Sequence, residues 1–158
     1  MEYRRKFLCL LSLLLVLALL AGCGGASKVY DQPPGLTVTV NGTDYLPNRG
    51  TTSWFSSKAA YDVCCEDPRA WGELLVTVPA GRAALNFVAQ PDILGVSAAV
   101  RDLDGSFAQV ETALELGPDG TVQLEPGQLV VVSATWNLRE LGSGQYWGGS
   151  TQWAFVTE

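Results

Sequence analysis

Apolar and polar side chains alternate with a period of two from Leu36 onward, and this pattern constrains the fold more than any other feature of the chain. Residues 36–40 read Leu-Thr-Val-Thr-Val, so the leucine and both valines would lie on one face of an extended strand. Asn41-Gly42 follows, the dipeptide that a type I′ hairpin turn favours because both positions need positive φ. The segment therefore predicts a half-buried strand that ends in a tight turn.

The same alternation recurs along the chain between turn residues. Gly, Pro, Asn and Asp separate the apolar segments, and little of the sequence has helical periodicity. About eight strands with uneven lengths favour an all-β Greek-key sandwich over a barrel. The predicted strands are residues 36–40, 73–78, 82–89, 96–100, 110–116, 121–125, 128–136 and 151–156.

The last two predicted strands point to a more specific architecture. Residues 128–136 form the most apolar segment, and residues 151–156 carry two aromatic side chains in phase. Together they resemble the closing strands of immunoglobulin-like or fibronectin-like domains, although the Cys…Trp…Cys frame of antibody domains is missing. The resemblance implies an immunoglobulin-like Greek-key sandwich, to which we assign residues 36–158.

A basic and then apolar leader precedes the β-rich part. Residues 1–6 carry three cations, and residues 7–20 are apolar except for Ser12. This stretch is too short for a bilayer-spanning helix, which needs about 17–25 residues. The charge and length are those of a secretory signal peptide.

Leu20-Ala21-Gly22-Cys23 ends the leader and resembles the lipobox of bacterial lipoproteins at every position. The resemblance implies cleavage before Cys23 and a diacylglyceryl thioether on its sulfur, often with an acylated amine, which together anchor a protein stably. Residues 1–22 would be the signal peptide, and residues 23–35 a lipidated N-terminus and flexible tether. The alternative is a plain membrane anchor, or an ordinary secreted leader with a chance cysteine.

The mature chain is acidic and has no histidine. Without residues 1–22 it carries 7 cations against 15 anions, a net charge of −8. Scattered cations in an acidic domain bind a phosphate backbone poorly, so we expect no nucleic-acid partner. The lack of histidine removes the commonest general base and metal ligand, and the Gly-x-Ser-x-Gly nucleophile motif is missing. We therefore expect no enzymatic activity, no cofactor and no metal.

Cys64 and Cys65 are the thiols that remain after cleavage and lipidation. Adjacent Cα atoms lie about 3.8 Å apart, less than in most disulfides, so a bridge between them would be strained and easily reduced. Three interpretations stay open: a vicinal disulfide, two free thiols, or redox or soft-metal chemistry. The surrounding residues 56–72 break the strand pattern, as functional loops often do, and predict one helical turn over residues 58–62.

The tryptophans fall into two groups. Trp136 and Trp153 are in phase with apolar strand residues and are predicted to lie in the core. Trp71 lies in the irregular loop, and Tyr146-Trp147 is flanked by glycines, so these three are candidates for an exposed ligand-binding surface. The alternative is that the loops fold back and bury the rings.

These observations predict a non-enzymatic lipoprotein on the extracytoplasmic face of the cell membrane. Its lipid anchor would bind the membrane, and its sandwich would bind an envelope or extracellular protein partner. A carbohydrate-binding lipoprotein that uses Trp71, Tyr146 and Trp147 is the alternative. A redox or thiol-sensing lipoprotein that uses Cys64 and Cys65 is a third hypothesis.

Overall fold

The computed structural model describes residues 28–158, so the predicted signal peptide and Cys23 lie outside the described residues. Residues 28–158 form eleven strands and two 3-10 turns, Pro68–Ala70 and Gly72–Leu74. The strands are β1 (Leu36–Val40), β2 (Thr43–Tyr45), β3 (Asn48–Ser56), β4 (Ala60–Val63), β5 (Thr77–Val78), β6 (Gly81–Phe87), β7 (Ile93–Val100), β8 (Thr112–Ala113), β9 (Thr121–Leu124), β10 (Gln128–Gly142) and β11 (Gln145–Thr157).

The strands form two sheets that pack face to face. The first sheet has the strand order β2-β1-β6-β9, and the second has the order β4-β3-β11-β10-β7-β8. β5 runs parallel to the end of β11, and the neighbours within both strand orders are antiparallel. The prediction of an all-β, immunoglobulin-like sandwich is confirmed.

β1 has the predicted bounds. Its leucine and both valines are buried, and the two threonines between them are partly exposed. Asn41 and Gly42 have φ values of 51° and 79°, as both central positions of a type I′ turn require. The turn joins β1 to β2, and the two strands pair. The sequence pattern predicted the turn but did not indicate the strand β2.

Aromatic rings fill the space between the sheets. Trp54 of β3, Trp136 of β10 and Trp153 of β11 are each at most 2% exposed. Trp136 meets the other two edge-on, with ring centroids 5.7 and 6.4 Å apart, an attractive geometry for aromatic pairs. The predicted core positions of Trp136 and Trp153 are confirmed.

A smaller apolar cluster lies on the outer face of the second sheet. Val130 and Val132 belong to the inner core, so Leu129 and Val131 point to the opposite face. Two loops cover these side chains, one over residues 64–76 and one over residues 101–110. The outer cluster consists of Leu75, Ala99, Leu129, Val131 and Ala154, with Trp71, Phe107 and Val156 packed against it.

Two predicted strands are largely wrong. Residues 73–78 form the second 3-10 turn and then the two residues of β5. Leu74, expected on the same face as Val78, is 77% exposed, because a 3-10 turn rotates successive side chains by about 120° instead of 180°. Residues 110–116 contribute only β8, and their remaining residues form loops.

The helical turn predicted over residues 58–62 is also wrong. This segment contains a hairpin turn and most of β4. β4 pairs with β3, with Ala60 opposite Phe55 at one end and Val63 opposite Thr52 at the other. The sequence pattern did not indicate β3 either, because Trp54 is the one large apolar residue among its buried positions, and the others are Gly50, Thr52 and Ser56.

β10 and β11 extend beyond the predicted segments 128–136 and 151–156. They pair as far as Gly142 and Gln145, with a bulge after Trp136. β7 pairs with β10 only as far as Thr135, and β3 pairs with β11 only from Trp147 onward. Residues 137–146 therefore form a two-stranded extension of the sandwich, which we call the arm.

Gly148 and Gly149 connect the arm to the sandwich at positions that admit no side chain. A Cβ on Gly149 would lie 2.2 Å from the carbonyl oxygen of Ser53, and its φ of 141° disfavours other residues. A Cβ on Gly148 would lie 2.9 Å from the Cα of Leu138 in the β10 bulge. Close backbone packing thus explains the glycines that follow Trp147.

Residues 28–35 pack on the sandwich. The carbonyl oxygen of Tyr30 accepts a hydrogen bond from Nε1 of Trp54 at 3.1 Å. The Tyr30 ring contacts Trp147, and the prolines at positions 33 and 34 are buried. The prediction of a flexible tether over residues 23–35 is therefore wrong for its second part, because aromatic and proline side chains there find apolar partners.

Candidate functional site

The sandwich has two ends, which we call the proximal pole and the distal pole. The proximal pole consists of residues 28–31, 57–58 and 92 together with the arm. The distal pole lies at the opposite end, where β10 begins at Gln128 and the loop 101–110 follows β7. β10 alone is about 46 Å long, so the two poles are well separated.

A groove of about 550 Å³ opens at the distal pole between the two loops that cover the outer cluster. Residues from 69 to 77 form one wall, residues from 101 to 109 form the other, and Val156 of β11 also lines it. The volume is in the range of protein sites for small molecules or for side chains of a partner. Its polar lining residues are Arg69, Glu73, Thr77, Arg101, Ser106 and Gln109.

Arg69 ties the two walls together. Its Nη2 donates to Oε1 of Glu111 at 2.9 Å, and its Nε donates to the carbonyl oxygen of Ala108 at 3.0 Å. Within its own wall, the backbone N–H and then the guanidinium of Arg69 hold the pKa of Asp67 below its usual value. The side chain is only 16% exposed and pairs with two carboxylates, so it fixes the shape of the groove.

Arg101 presents a cation to the groove. Its guanidinium lies over the ring of Phe107, 4.9 Å from the centroid, a distance typical of cation–π contacts. Among residues 28–158, no carboxylate oxygen lies within 4 Å of its nitrogens. Arg101 is thus held in place by an aromatic ring while its charge is available to a ligand.

Three large apolar side chains are exposed beside the groove. Leu74 is 77% exposed, Val110 is 80% exposed, and Leu103 is fully exposed. Leu74 and Val110 directly adjoin groove-lining residues in the chain, and Leu103 lies two residues from Arg101 and from Gly105, which line the groove. Large apolar side chains that are exposed around a groove are candidates for burial by a binding partner.

The predicted ligand-binding aromatics are not brought together. Trp71 is half-buried on the outer face of the second sheet, where its Cη2 would be 3.2 Å from a Cβ on Gly50. Trp147 pairs with Ser56, about 20 Å farther along β3, and points to the inner face. These residues therefore form no common surface.

The prediction that Trp147 is exposed is wrong. Its side chain is 4% exposed and stacks on Trp54 with ring centroids 5.8 Å apart. Arg139 lies 5.0 Å from the Trp147 ring centroid. Tyr146, the adjacent residue on the arm, is 39% exposed.

Cys64 and Cys65 directly follow β4 and are free thiols in this structure. Cys64 is exposed and Cys65 is half-buried, with its backbone N–H donating to Oγ1 of Thr51 at 3.3 Å.

Within residues 28–158, no three His, Cys, Asp or Glu side chains are grouped to hold a metal ion. In the same part of the chain, no helix is long and apolar enough to cross a membrane.

The sequence did not predict the groove, because its walls come from segments about 30 residues apart in the chain. The contact of Arg69 with Glu111 joins them, and nothing in either segment identifies the other. One local signal was present: Leu103 stands between Asp102 and Asp104, and an isolated leucine in an acidic turn is hard to bury.

Comparisons with known proteins identify no relative. No protein family matches the chain. No characterised protein and no solved structure matches it. An assignment of function must therefore be argued from the groove, the two poles and the sequence motifs.

Proposed function

We propose that this protein is a non-enzymatic surface lipoprotein that binds a protein partner through the distal groove. Acyl chains on Cys23 would hold it on the extracytoplasmic face of the cell membrane. The observation that carries the binding proposal is the exposure of Leu74, Leu103 and Val110 around a groove that contains Arg101. Burial of these side chains by a partner would remove apolar surface from water.

The groove has the composition of an interaction hot spot. Arginine and aromatic residues are enriched at the centres of protein interfaces, where Arg101 and Phe107 would lie. Arg69 fixes the two walls, so the groove needs little ordering when a partner binds. A pre-organised apolar rim around a cation favours a partner segment that carries both apolar and acidic side chains.

The chemistry of the residues supports binding over catalysis. The chain has no histidine. The two lysines outside the leader, Lys28 and Lys58, lie at the proximal pole and not in the groove. The groove offers Glu73 as its one lining carboxylate, while paired carboxylates are typical of glycoside hydrolysis. The groove arginines suit the recognition of carboxylates.

The alternative functions have less support. Carbohydrate binding needs exposed rings that share a surface, whereas Trp147 is buried and far from Trp71. Thiol sensing by Cys64 and Cys65 is compatible with two accessible free thiols, but no titratable or cationic side chain is hydrogen-bonded to either of them among the described residues.

Site-specific photo-crosslinking in the producing bacterium tests the proposal. A photoreactive amino acid replaces Leu103 in the lipidated protein, and Leu46 in the matched control, which is 71% exposed outside the groove. We expect one discrete protein adduct at position 103 and none at position 46. Equal adducts at both positions would show that the groove has no special role.

The adduct partner, identified by mass spectrometry and purified, then allows an affinity measurement. Arg101→Ala and Leu103→Ala should each weaken binding about tenfold or more, as substitutions in interface hot spots do. Leu46→Ala should leave the affinity unchanged. Unchanged affinity in both groove variants would overturn the assignment, and a glycan adduct at position 103 would favour the carbohydrate alternative.

A further inference from the structure

We infer that the proximal pole rests on the lipid bilayer, with the arm at the headgroup region and the distal groove directed away from the membrane. This inference rests on the proposed lipidation of Cys23. It goes further than the anchor, because a lipid on a flexible tether would leave the sandwich free to turn any face toward the bilayer.

The length of chain before the docked segment is the first argument. Lys28, the first described residue, is five residues after Cys23. Five residues span at most about 18 Å when fully extended. Because residues 28–35 pack on the sandwich, the chain offers no further slack, and Lys28 must remain close to the anchored residue.

The position of the docked segment at the base of the arm is the second argument. Tyr30 contacts Trp147, and Lys58 pairs with Asp31 at 3.7 Å. The backbone N–H of Ser57 donates to the carbonyl oxygen of Tyr146 at 2.9 Å. The chain therefore enters the sandwich where the arm begins, so the short tether holds the arm beside the bilayer.

The exposed side chains of the arm fit a lipid interface. Leu138 is 54% exposed and Tyr146 is 39% exposed. Tyrosine is favoured at headgroup level, because its ring is apolar and its hydroxyl remains hydrated. The turn of the arm is Gly142-Ser143-Gly144, which carries no charge that would oppose its approach to lipid.

The distribution of charge favours the same orientation. The proximal pole has three cations and three anions and is neutral: Lys28, Lys58, Arg139, Asp31, Asp92 and Glu140. The remainder of the mature chain has 4 cations and 12 anions, so it carries the whole net charge of −8. An anionic lipid surface repels the remainder and not the proximal pole.

Fluorescence quenching by lipid tests the orientation. The lipidated mature protein, with Cys64→Ser and Cys65→Ser, receives one fluorophore through either Ser143→Cys on the arm or Leu103→Cys at the distal pole. The probe is a vesicle of phosphatidylcholine and phosphatidylglycerol that contains a headgroup-linked quencher. We expect several-fold stronger quenching at position 143 than at position 103, because the two positions lie at opposite ends of the sandwich.

The outcomes separate the orientation from the anchor. Vesicle flotation is measured first, and a lipidated protein must float with the vesicles. If it floats but the two labels are quenched equally, or position 103 more strongly, the orientation is wrong while the anchor stands. If it does not float, the proposed anchor fails and the orientation fails with it. Leu138→Ser with Tyr146→Ser should reduce quenching at position 143 without affecting flotation.

Discussion

The ring of Tyr30 meets the indole of Trp147 edge-on, with ring centroids 4.9 Å apart. Tyr30 belongs to the first segment that the structure describes, and Trp147 is the first residue of β11 to pair with β3. The contact thus closes the proximal end of the core and joins the incoming chain to the base of the arm.

Tyr30→Ala should loosen this closure. Loss of the ring removes apolar burial and an aromatic pair, so we expect the free energy of unfolding to fall by about 2 kcal/mol. Trp147 and Trp54 should gain access to water, which shifts tryptophan emission to longer wavelength. Tyr146→Ala, on the exposed arm, is the control and should cost less than about 1 kcal/mol. Equal stability of both variants would contradict the docked arrangement.

Removal of the Arg69 side chain should uncouple the two walls of the groove. Arg69→Ala leaves the Glu111 carboxylate and the Ala108 carbonyl without this donor, at a cost of about 2 kcal/mol. Hydrogen exchange of residues 101–111 should become faster. Arg82→Ala removes an ion pair with Asp119 from a side chain that is 68% exposed, and should cost under about 1 kcal/mol. If hydrogen exchange of residues 101–111 stays slow in Arg69→Ala, Arg69 does not hold the two walls of the groove together.

Gly149→Ala should be among the most destabilising single substitutions in the chain. The new Cβ would lie 2.2 Å from the Ser53 carbonyl oxygen at a φ of 141°, so we expect a loss of roughly 3 kcal/mol or more. Gly95→Ala is the matched control in β7, where a Cβ would meet open space, and should change stability by less than about 1 kcal/mol. Chemical denaturation of both variants measures the difference, and similar midpoints would contradict the close packing of β11 on β3.

Stability should fall in acid because hydrogen bonds in the folded chain lower the pKa of four aspartates: Asp67, Asp92, Asp104 and Asp119. Hydrogen bonds from the backbone N–H groups of Arg69 and Asn137 lower the pKa of Asp67 and Asp92, respectively. A folded-state pKa below the unfolded value of about 3.9 stabilises the fold at higher pH. That stabilisation is lost as the pH falls below about 4 and through the lowered pKa values.

The double variant Asp67→Asn, Asp92→Asn tests this dependence. Denaturant unfolding at pH 6 and pH 3 should show a smaller loss of stability in the double variant than in the parent. Asp62→Asn, on exposed β4, should retain the parental difference between the two pH values. A double variant with the full parental loss would show that other groups control the acid sensitivity.

The sequence predicted strands well where one face is apolar and the other polar. β1 and its turn followed from alternation and from Asn41-Gly42, and the core positions of Trp136 and Trp153 followed from their phase. β3 escaped prediction because most of its buried positions hold small or polar residues, such as Thr52, whose hydroxyl bonds that of Thr151 on the neighbouring strand β11 at 2.6 Å. Contacts between distant strands make such positions buried, and local patterns do not record them.

The candidate site was less predictable for a similar reason. Glycines beside Trp147 suggested a mobile, exposed loop, whereas Gly148 and Gly149 are required by the close approach of neighbouring backbones. The groove depends on the contact of Arg69 with Glu111, which only the folded chain creates. Solvent exposure of Leu103 was the one property of the site that its sequence neighbours indicated.

Intact-mass and N-terminal peptide analysis of the protein purified from membranes tests the central claim most directly, because both the surface location and the orientation depend on the lipid at Cys23. The account predicts a mature chain that begins at Cys23 and carries a diacylglyceryl group on its sulfur. An unmodified Cys23, or a mature N-terminus at another position, would contradict it.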